Sequence, residues 1–235
     1  MAASSVPRAV LCGGGEFTPE NQVLDRAWLS ALGIRRPRVI LIAAASHDPA
    51  RRARTGVRFL GKLGADVVPA YLDANVPLPG GRQLNDALIG ARAIYLIDGN
   101  PATLNEALHQ GQAAELLRQA FAEGVTVIGS GAGAMALCEH FWNGEGWEEG
   151  LGLLRGIAVL PHHERIAARF PPERLRRGLP ETTVILGLEE VSGILIEGVQ
   201  GRVLGTNNLT LYSANDVLVH RSGQKFTLST PIFSP

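Results

Sequence analysis

The sequence predicts an α/β fold: a doubly wound, mostly parallel sheet with helices on both faces and a β-hairpin-rich C-terminal edge. Short apolar runs rich in Val and Ile recur between segments of helical pattern, which is typical of a parallel sheet covered by helices. After about residue 150 the runs shorten, and Gly and Pro become more frequent between them. The tail then alternates polar and apolar residues, which favours antiparallel hairpins.

The predicted elements follow one another along the whole chain. The strands are RAVLCG, RVILIAAA, ADVVPAYL, AIYLID, VTVIGS, GIAVL, TVILGLE and GILIEG. The helices between them are ENQVLDRAWLSALG, DPARRARTGVRFLGKLG (48–64) and PATLNEALHQGQAAELLRQAFAEG (101–124). Each helical segment ends in glycine, which suits the left-handed position after a helix. The stretch 75–83, NVPLPGGRQ, is expected to be a surface loop.

Length, charge and cysteine content limit the classes of function. The 235 residues fit one large domain, which we predict to span 1–235. Twenty-two basic residues balance 22 acidic ones, so nucleic acid and membrane surfaces are not expected partners. The N-terminus has no signal-peptide pattern and no stretch resembles a membrane span, so a cytoplasmic location is expected. Cys12 and Cys138 lack the spacing of a metal site, and we expect buried thiols and no metal or cofactor.

Four predicted strand ends carry unusual residues, and such ends converge on one crevice in a sheet of this kind. The first is Gly13–Glu16, which is either a tight turn or, more weakly, a nucleotide-binding loop. The second is DGNPATL (98–104), whose amides either bind an oxyanion or only begin a helix. Either interpretation fits these two loops.

The third and fourth strand ends carry the clearest chemistry. GSGAGA (129–134) is a strand-to-helix turn of small residues, typical of a nucleophile elbow but also of a phosphate site at a helix N-terminus. We call residues 129–134 the elbow. AVLPHHERIAARF (158–170) places His162 and His163 before Arg165 and Arg169, a combination suited to a general base and a carboxylate clamp.

Together these segments resemble the dipeptidase E and cyanophycinase family of serine peptidases, which have a fold like that of class I glutamine amidotransferases. The resemblance runs in order over about residues 8 to 200. Its segments are GGGE (13–16), AAAS (43–46), AIYLIDGNPATL, GSGAGA, LPHHERIAAR and VILGLEE. Asp98 stands where the family pattern has the first of two glycines.

The resemblance implies a role for each matching position. The general base falls on His162, because His163 fills the aromatic place that follows it, and the oxyanion donors are the amides of Gly99 and Ala132. The triad acid lies between the elbow helix and 151–154, where spacing does not choose among three glutamates. Those candidates are Glu145, Glu148 and Glu149. The substrate-binding candidates are Asn100, Arg165, Arg169 and Glu190.

The nucleophile falls on Gly131, which has no side chain and therefore cannot form an acyl-enzyme. We expect a pseudoenzyme that has lost most or all hydrolysis and still binds a small acidic peptide or amino-acid derivative. One alternative is an active serine exopeptidase that cleaves aspartyl peptide bonds with Ser130 as nucleophile. Another is a phosphate- or nucleotide-binding module. Family members can form homo-oligomers, but no surface in the sequence identifies such an interface.

Overall fold

The computed structural model describes residues 8–73 and 75–228 as a mixed α/β fold. The helices are α1 (Gln22–Ala31), α2 (Pro49–Lys62), α3 (Leu84–Ala87), α4 (Pro101–His109), α5 (Ala113–Ala122), α6 (Ala132–Leu137), α7 (His163–Ile166) and α8 (Pro172–Arg176). The first ten strands are β1 (Arg8–Cys12), β2 (Arg38–Ile42), β3 (Asp66–Tyr71), β4 (Arg82–Gln83), β5 (Ala93–Leu96), β6 (Thr126–Ser130), β7 (Cys138–Trp142), β8 (Trp147–Glu149), β9 (Leu154–Leu160) and β10 (Val184–Leu188). The last five are β11 (Ser192–Glu197), β12 (Gln200–Gly205), β13 (Leu209–Tyr212), β14 (Val217–His220) and β15 (Lys225–Thr227).

The larger sheet has nine strands in the order β15-β12-β11-β1-β6-β5-β2-β3-β4. The six neighbouring strands β1, β6, β5, β2, β3 and β4 run parallel to one another. Strands β11, β12 and β15 extend the edge beside β1 in antiparallel pairs. These parallel strands are nearly continuous apolar runs because both of their faces are covered. The predicted parallel sheet and the hairpins at its C-terminal edge are confirmed.

Side chains alternate along each strand between two apolar cores, one on either face of the larger sheet. On β1, Val10 packs into the core beneath α1 and α2, while Leu11 packs into the core shared with α3 to α6. Trp28 of α1 and Leu60 of α2 are buried in the first core. The prediction of helices on both faces is therefore confirmed.

A second sheet of six strands was not predicted. Its order is β14-β13-β10-β9-β7-β8, so GIAVL and TVILGLE belong to this sheet and do not extend the larger one. The chain enters it directly from the elbow, since α6 ends at Leu137 and β7 begins at Cys138. This connection brings the carboxyl ends of β9 and β10 beside those of β1, β5 and β6, where the candidate site lies.

Two further expectations need correction or qualification. The segment 101–124 forms two helices, α4 and α5, because the chain turns at Gly111 with a φ of 61°. The stretch 75–83 is a loop that ends in the two-residue strand β4. Within residues 8–73 and 75–228, no helix combines the length and hydropathy needed to cross a membrane. The prediction of one domain over 1–235 extends beyond the described residues.

Candidate active site

The elbow has a strained backbone that is centred on Gly131. This residue adopts φ 51° and ψ −113°, a backbone conformation that residues with a Cβ atom rarely adopt. Its amide donates to the carbonyl oxygen of Cys12, and its carbonyl accepts from Met135 in the first turn of α6. The sharp turn that the motif predicted is therefore present, with glycine at its apex.

The carboxylate of Asp98 occupies the space in front of this apex. Asp98 Oδ1 accepts hydrogen bonds from the amides of Gly99 at 2.7 Å and Ala132 at 2.8 Å. A Cβ placed on Gly131 would overlap both the Cγ and Oδ1 atoms of Asp98. The two amides that the resemblance implies as oxyanion donors thus converge on one oxygen, and that oxygen belongs to the protein itself.

His162 joins Asp98 to a second carboxylate. Its Nε2 lies 2.9 Å from Asp98 Oδ2, and its Nδ1 lies 2.8 Å from Glu190 Oε1. His162 has a left-handed backbone, with φ 47° and ψ 41°, and its ring lies over Gly14, where any Cβ would overlap it. A glycine at position 14 is therefore required by the approach of the imidazole.

The side chains of Asp98, His162 and Glu190 form a row in which the charges stabilise one another. The hydrogen bond to Asp98 is the main reason why the pKa of His162 is raised to about 9, against the opposing effect of burial. Burial by itself would raise the pKa of the Asp98 carboxyl. Hydrogen bonds from His162, Ala132 and Gly99 outweigh burial and hold that pKa below its ordinary value. At neutral pH His162 is therefore an imidazolium that donates to two carboxylates.

This geometry corrects the assignment of the acid beside His162. Both ring nitrogens are engaged by Asp98 and Glu190, so no ring nitrogen is left for Glu145, Glu148 or Glu149. Glu148 instead accepts from Asn143 at 2.5 Å. Glu190, which was predicted to bind substrate, follows β10 and lies on the imidazole because the turn between β10 and β11 packs against Gly13. Spacing along the chain could not reveal this contact.

Ser130 does not face the site, which contradicts its interpretation as a substitute nucleophile. It is fully buried, and its Oγ donates to Glu16 Oε2 at 2.9 Å. Side chains alternate in direction along a strand, so Ser130, two residues after Ile128, points towards the covered face beneath α1 and α2, while the turn itself presents position 131. His162 has no free nitrogen with which to activate it.

Glu16 is a site residue that sequence reasoning missed. Only 1% of its surface is exposed, and its Oε1 accepts from Arg52 at 2.6 Å and from the amide of Asp98 at 3.2 Å. Together with the bond from Ser130, these contacts tie the ends of β1, β5 and β6 to α2. Glu16 therefore fixes the backbone from which Asp98 projects.

The remaining predicted site residues have separate positions. The side chain of Asn100 caps α4 by accepting from the amide of Thr103 at 2.9 Å. His163 is buried and hydrogen-bonds to the hydroxyl of Tyr212 at 2.7 Å. Arg165 contacts Glu190 at 2.7 Å. Among the described residues, Arg169 has no ion-pair partner.

A cleft of about 550 Å³ opens beside this row of charges, lined by Asp98 and His162. Its apolar wall comes from Met135, Trp142, Ile166 and Phe170. Arg165 and Arg169 line its rim. We call this space the cleft. It combines an apolar surface with a few convergent charged groups, as ligand sites usually do.

Two other kinds of ligand fit this region less well. The amides of Gly131 and Ala132 already have acceptors, so the elbow offers neither of them to a phosphate. His162, Glu164 and Glu190 have ligand atoms within 4.8 Å of one another, as a metal site would. However, the guanidinium of Arg165 already forms an ion pair with Glu190, and both ring nitrogens of His162 are hydrogen-bonded to carboxylates. The cluster is better suited to an ion-pair network than to a cation.

Comparisons with known proteins identify the family. Residues 9–204 match the model of peptidase family S51. The chain is 25% identical over 194 residues to the cyanophycinases of Trichormus variabilis and of Nostoc sp., an alignment that covers 74% of this chain. The chain spans only 65% of the length of those curated relatives.

Solved structures show the same fold. A peptidase from an acI-B1 actinobacterium aligns with a TM-score of 0.76 at 19% identity, over 95% of this chain and 98% of that one. A protein assigned as peptidase E from Listeria monocytogenes EGD-e aligns with a TM-score of 0.60 at 16% identity, over 92% and 99% of the two chains. With the family match over most of the described residues, these likenesses lead to one conclusion: the chain belongs to peptidase family S51.

Proposed function

We propose that this chain is a member of the S51 family that does not hydrolyse peptides by the serine route and that binds a small carboxylate-bearing ligand in the cleft. The observation that carries the proposal is the carboxylate of Asp98 in front of Gly131. Loss of a triad nucleophile lowers turnover by about a million-fold. Here the oxyanion donors are also occupied, so a peptide carbonyl would have to displace Asp98 before these amides could polarise it.

The composition of the cleft supports the choice of ligand. Arg169 has no ion-pair partner among the described residues and lines the cleft together with Trp142 and Phe170. An arginine that is free to form a bidentate contact favours a carboxylate. The rings favour an apolar side chain. A dipeptide such as Asp-Leu, which has carboxylates and an apolar side chain, offers both features.

Calorimetry with the dipeptide Asp-Leu tests this proposal. We expect saturable binding at submillimolar to millimolar concentration without release of free amino acids. Arg169→Gln is expected to weaken binding roughly tenfold, since a charge-assisted contact contributes about 1.5 kcal/mol. Arg177→Gln is the matched control, because Arg177 is exposed and does not line the cleft.

Two results would contradict the proposal. Absence of saturable heat at about 10 mM Asp-Leu, roughly tenfold above the weakest dissociation constant expected, would contradict the proposed binding. Steady release of leucine that is unaffected by Ser130→Ala but abolished by His162→Gln would show that hydrolysis persists by another route.

A further inference from the structure

The position of Asp98 gives its two carboxylate oxygens different environments. Oδ1 is held by two backbone amides, whereas Oδ2 meets His162 at the edge of the cleft. The Asp98 side chain is 21% exposed, so it is accessible from the cleft without being freely solvated. A serine hydroxyl on the elbow would occupy the same space, because a Cβ on Gly131 would overlap this carboxylate. The nucleophile position of the elbow is therefore filled from a neighbouring loop.

We propose that Asp98 Oδ2 is itself a nucleophile, which attacks a tetrahedral carbon that bears an anionic leaving group. Carboxylates perform such covalent catalysis in other enzymes. The Oδ2–carbon bond forms as the carbon–halogen bond, or its equivalent, breaks, and the leaving group takes the bonding electrons. The product of this step is an alkyl ester of Asp98. Water then hydrolyses the ester and releases an alcohol.

The occupied oxyanion donors explain why the electrophile is a tetrahedral carbon. An acyl substrate would develop negative charge on its own carbonyl oxygen, and the amides of Gly99 and Ala132 would already be engaged by Asp98. Displacement at a tetrahedral carbon develops charge on the leaving group and needs no such donors. In the second step the ester carbonyl is Oδ1, which these amides already hold. They therefore stabilise the charge that forms when water adds to Cγ.

His162 becomes available as a base only after the ester has formed. In the resting site its hydrogen bond to Asp98 keeps the imidazole protonated. Esterification removes the negative charge of Asp98, and His162 then loses its proton to solvent while Nδ1 keeps its bond to Glu190. The neutral imidazole takes one proton from the attacking water and passes it to the departing alkoxide. The other proton of that water moves from the new carboxyl group to His162, which restores the resting pair.

The net reaction converts R–X and water into R–OH, X⁻ and one proton. The substrate class that fits is a small alkyl electrophile with an apolar chain, since Trp142, Ile166 and Phe170 line the same cleft as Asp98. A carboxylate next to the reactive carbon would be attracted by Arg169. Two bromides serve as probes: 2-bromohexanoate, which has this carboxylate, and 1-bromohexane, which lacks it.

The first experiment follows bromide release and looks for the ester. Wild-type protein is expected to release bromide from 2-bromohexanoate with turnover. His162→Gln is expected to stop after one equivalent and to carry one alkyl group on Asp98, located by peptide mass spectrometry. Asp98→Asn is expected to lose bromide release and the label. Exposed Asp48 is the internal control for non-specific alkylation.

The second experiment uses only the wild-type protein, so it does not depend on the folding of a variant. A single turnover in H₂¹⁸O is expected to place ¹⁸O in the carboxylate of Asp98 and to leave the product alcohol unlabelled. Product alcohol that carries ¹⁸O from the first turnover would show direct attack by water and overturn the proposal. So would an absence of bromide release from both probes, or unchanged release by Asp98→Asn. Binding of Asp-Leu, which has no leaving group, is measured separately and does not depend on this chemistry.

Discussion

Replacement of Gly131 by serine tests how strongly the elbow and Asp98 depend on each other. The new Cβ would overlap the Asp98 carboxylate, and the backbone at φ 51° and ψ −113° is strained for any residue with a side chain. Such strain costs about 1–3 kcal/mol. Displaced Asp98 would lose its contacts with two amides, and a hydrogen bond to a charged group contributes about 1.5–3 kcal/mol. Because the freed carboxylate can regain water, we expect a net loss of about 2 kcal/mol from this source.

A double-mutant cycle separates the two contributions. Gly131→Ser should cost about 3–5 kcal/mol of unfolding free energy in the presence of Asp98, the sum of backbone strain and displacement. In an Asp98→Gly background only the strain remains, so the same change should cost about 1–3 kcal/mol. The assay is urea unfolding of the four proteins at pH 7. Equal costs in the two backgrounds, within the usual additivity error of about 0.5 kcal/mol, would refute the steric argument.

The same four proteins provide a readout of activity. Only the double variant, Asp98→Gly with Gly131→Ser, would have both a hydroxyl on the elbow and free amides at Gly99 and Ala132. We expect hydrolysis of an aspartyl dipeptide in this variant alone. Equal hydrolysis by Gly131→Ser with Asp98 intact would show that the carboxylate does not block the site.

Three further predictions concern buried polar groups. Burial is the main cause that raises the pKa of Asp25 from 3.8 to about 6. The folded protein therefore loses stability as the pH rises through this interval, because the unfolded chain releases the proton of Asp25 at a lower pH. Asp25→Asn should therefore raise the free energy of unfolding by up to about 3 kcal/mol at pH 7.5, measured in urea, and by much less at pH 4. The ion pair of His162 should stabilise the fold fully below pH 6.5 and lose this effect as pH rises through about 9. NMR titration should find the imidazole pKa near that value, and Glu190→Gln should lower it. Ser130→Ala should cost about 1.5 kcal/mol of stability, because Glu16 loses a buried donor, and should leave ligand binding unchanged.

Two of these predictions have an outcome or a control variant that would contradict them. Unaltered stability of Asp25→Asn across both pH values would mean that Trp28 and Asn21, which donate to this carboxylate, fully offset its burial. Glu148→Gln should not change the titration of His162, since Glu148 is bonded to Asn143. An equal effect of the two glutamine variants would contradict the assignment of the imidazole partner.

The parts of the fold that could be predicted are those that local sequence determines. Residues 39–42 of strand β2 are an uninterrupted apolar run because both faces of the strand are covered, and such runs are visible without a structure. The second sheet could not be predicted, because apolar runs such as β9 and β10 look the same whichever sheet they join. Their place in the smaller sheet is decided by pairing with each other and with β7 and β13, which local sequence does not reveal. The sequence predicts one helix over 101–124, whereas the left-handed conformation of Gly111 turns the chain between α4 and α5.

The sequence predicts which strand ends form the candidate site, but it does not predict which side chains contact one another there. The structure brings Gly131, His162 and the amide of Ala132, which the motif singles out, to the same crevice around Asp98. The sequence also showed two departures from the family pattern, at positions 98 and 131. Nothing in a linear pattern indicates that one side chain fills the space left by the other, because two loops 33 positions apart must first meet in space. For the same reason, the sequence does not reveal that Glu190, and not Glu148, contacts the imidazole of His162.

The overlap between the Asp98 carboxylate and any side chain at position 131 also restricts the order in which these two residues arose. In a family pattern that has glycine at the first position and serine at the second, aspartate could not enter beside the serine without a steric conflict. Single replacements therefore pass through a protein with glycine at both positions, in which the serine has already gone. From the present sequence a return to serine is expected to cost about 3–5 kcal/mol as long as Asp98 is present. The pair therefore disfavours recovery of a serine at the elbow by a single replacement.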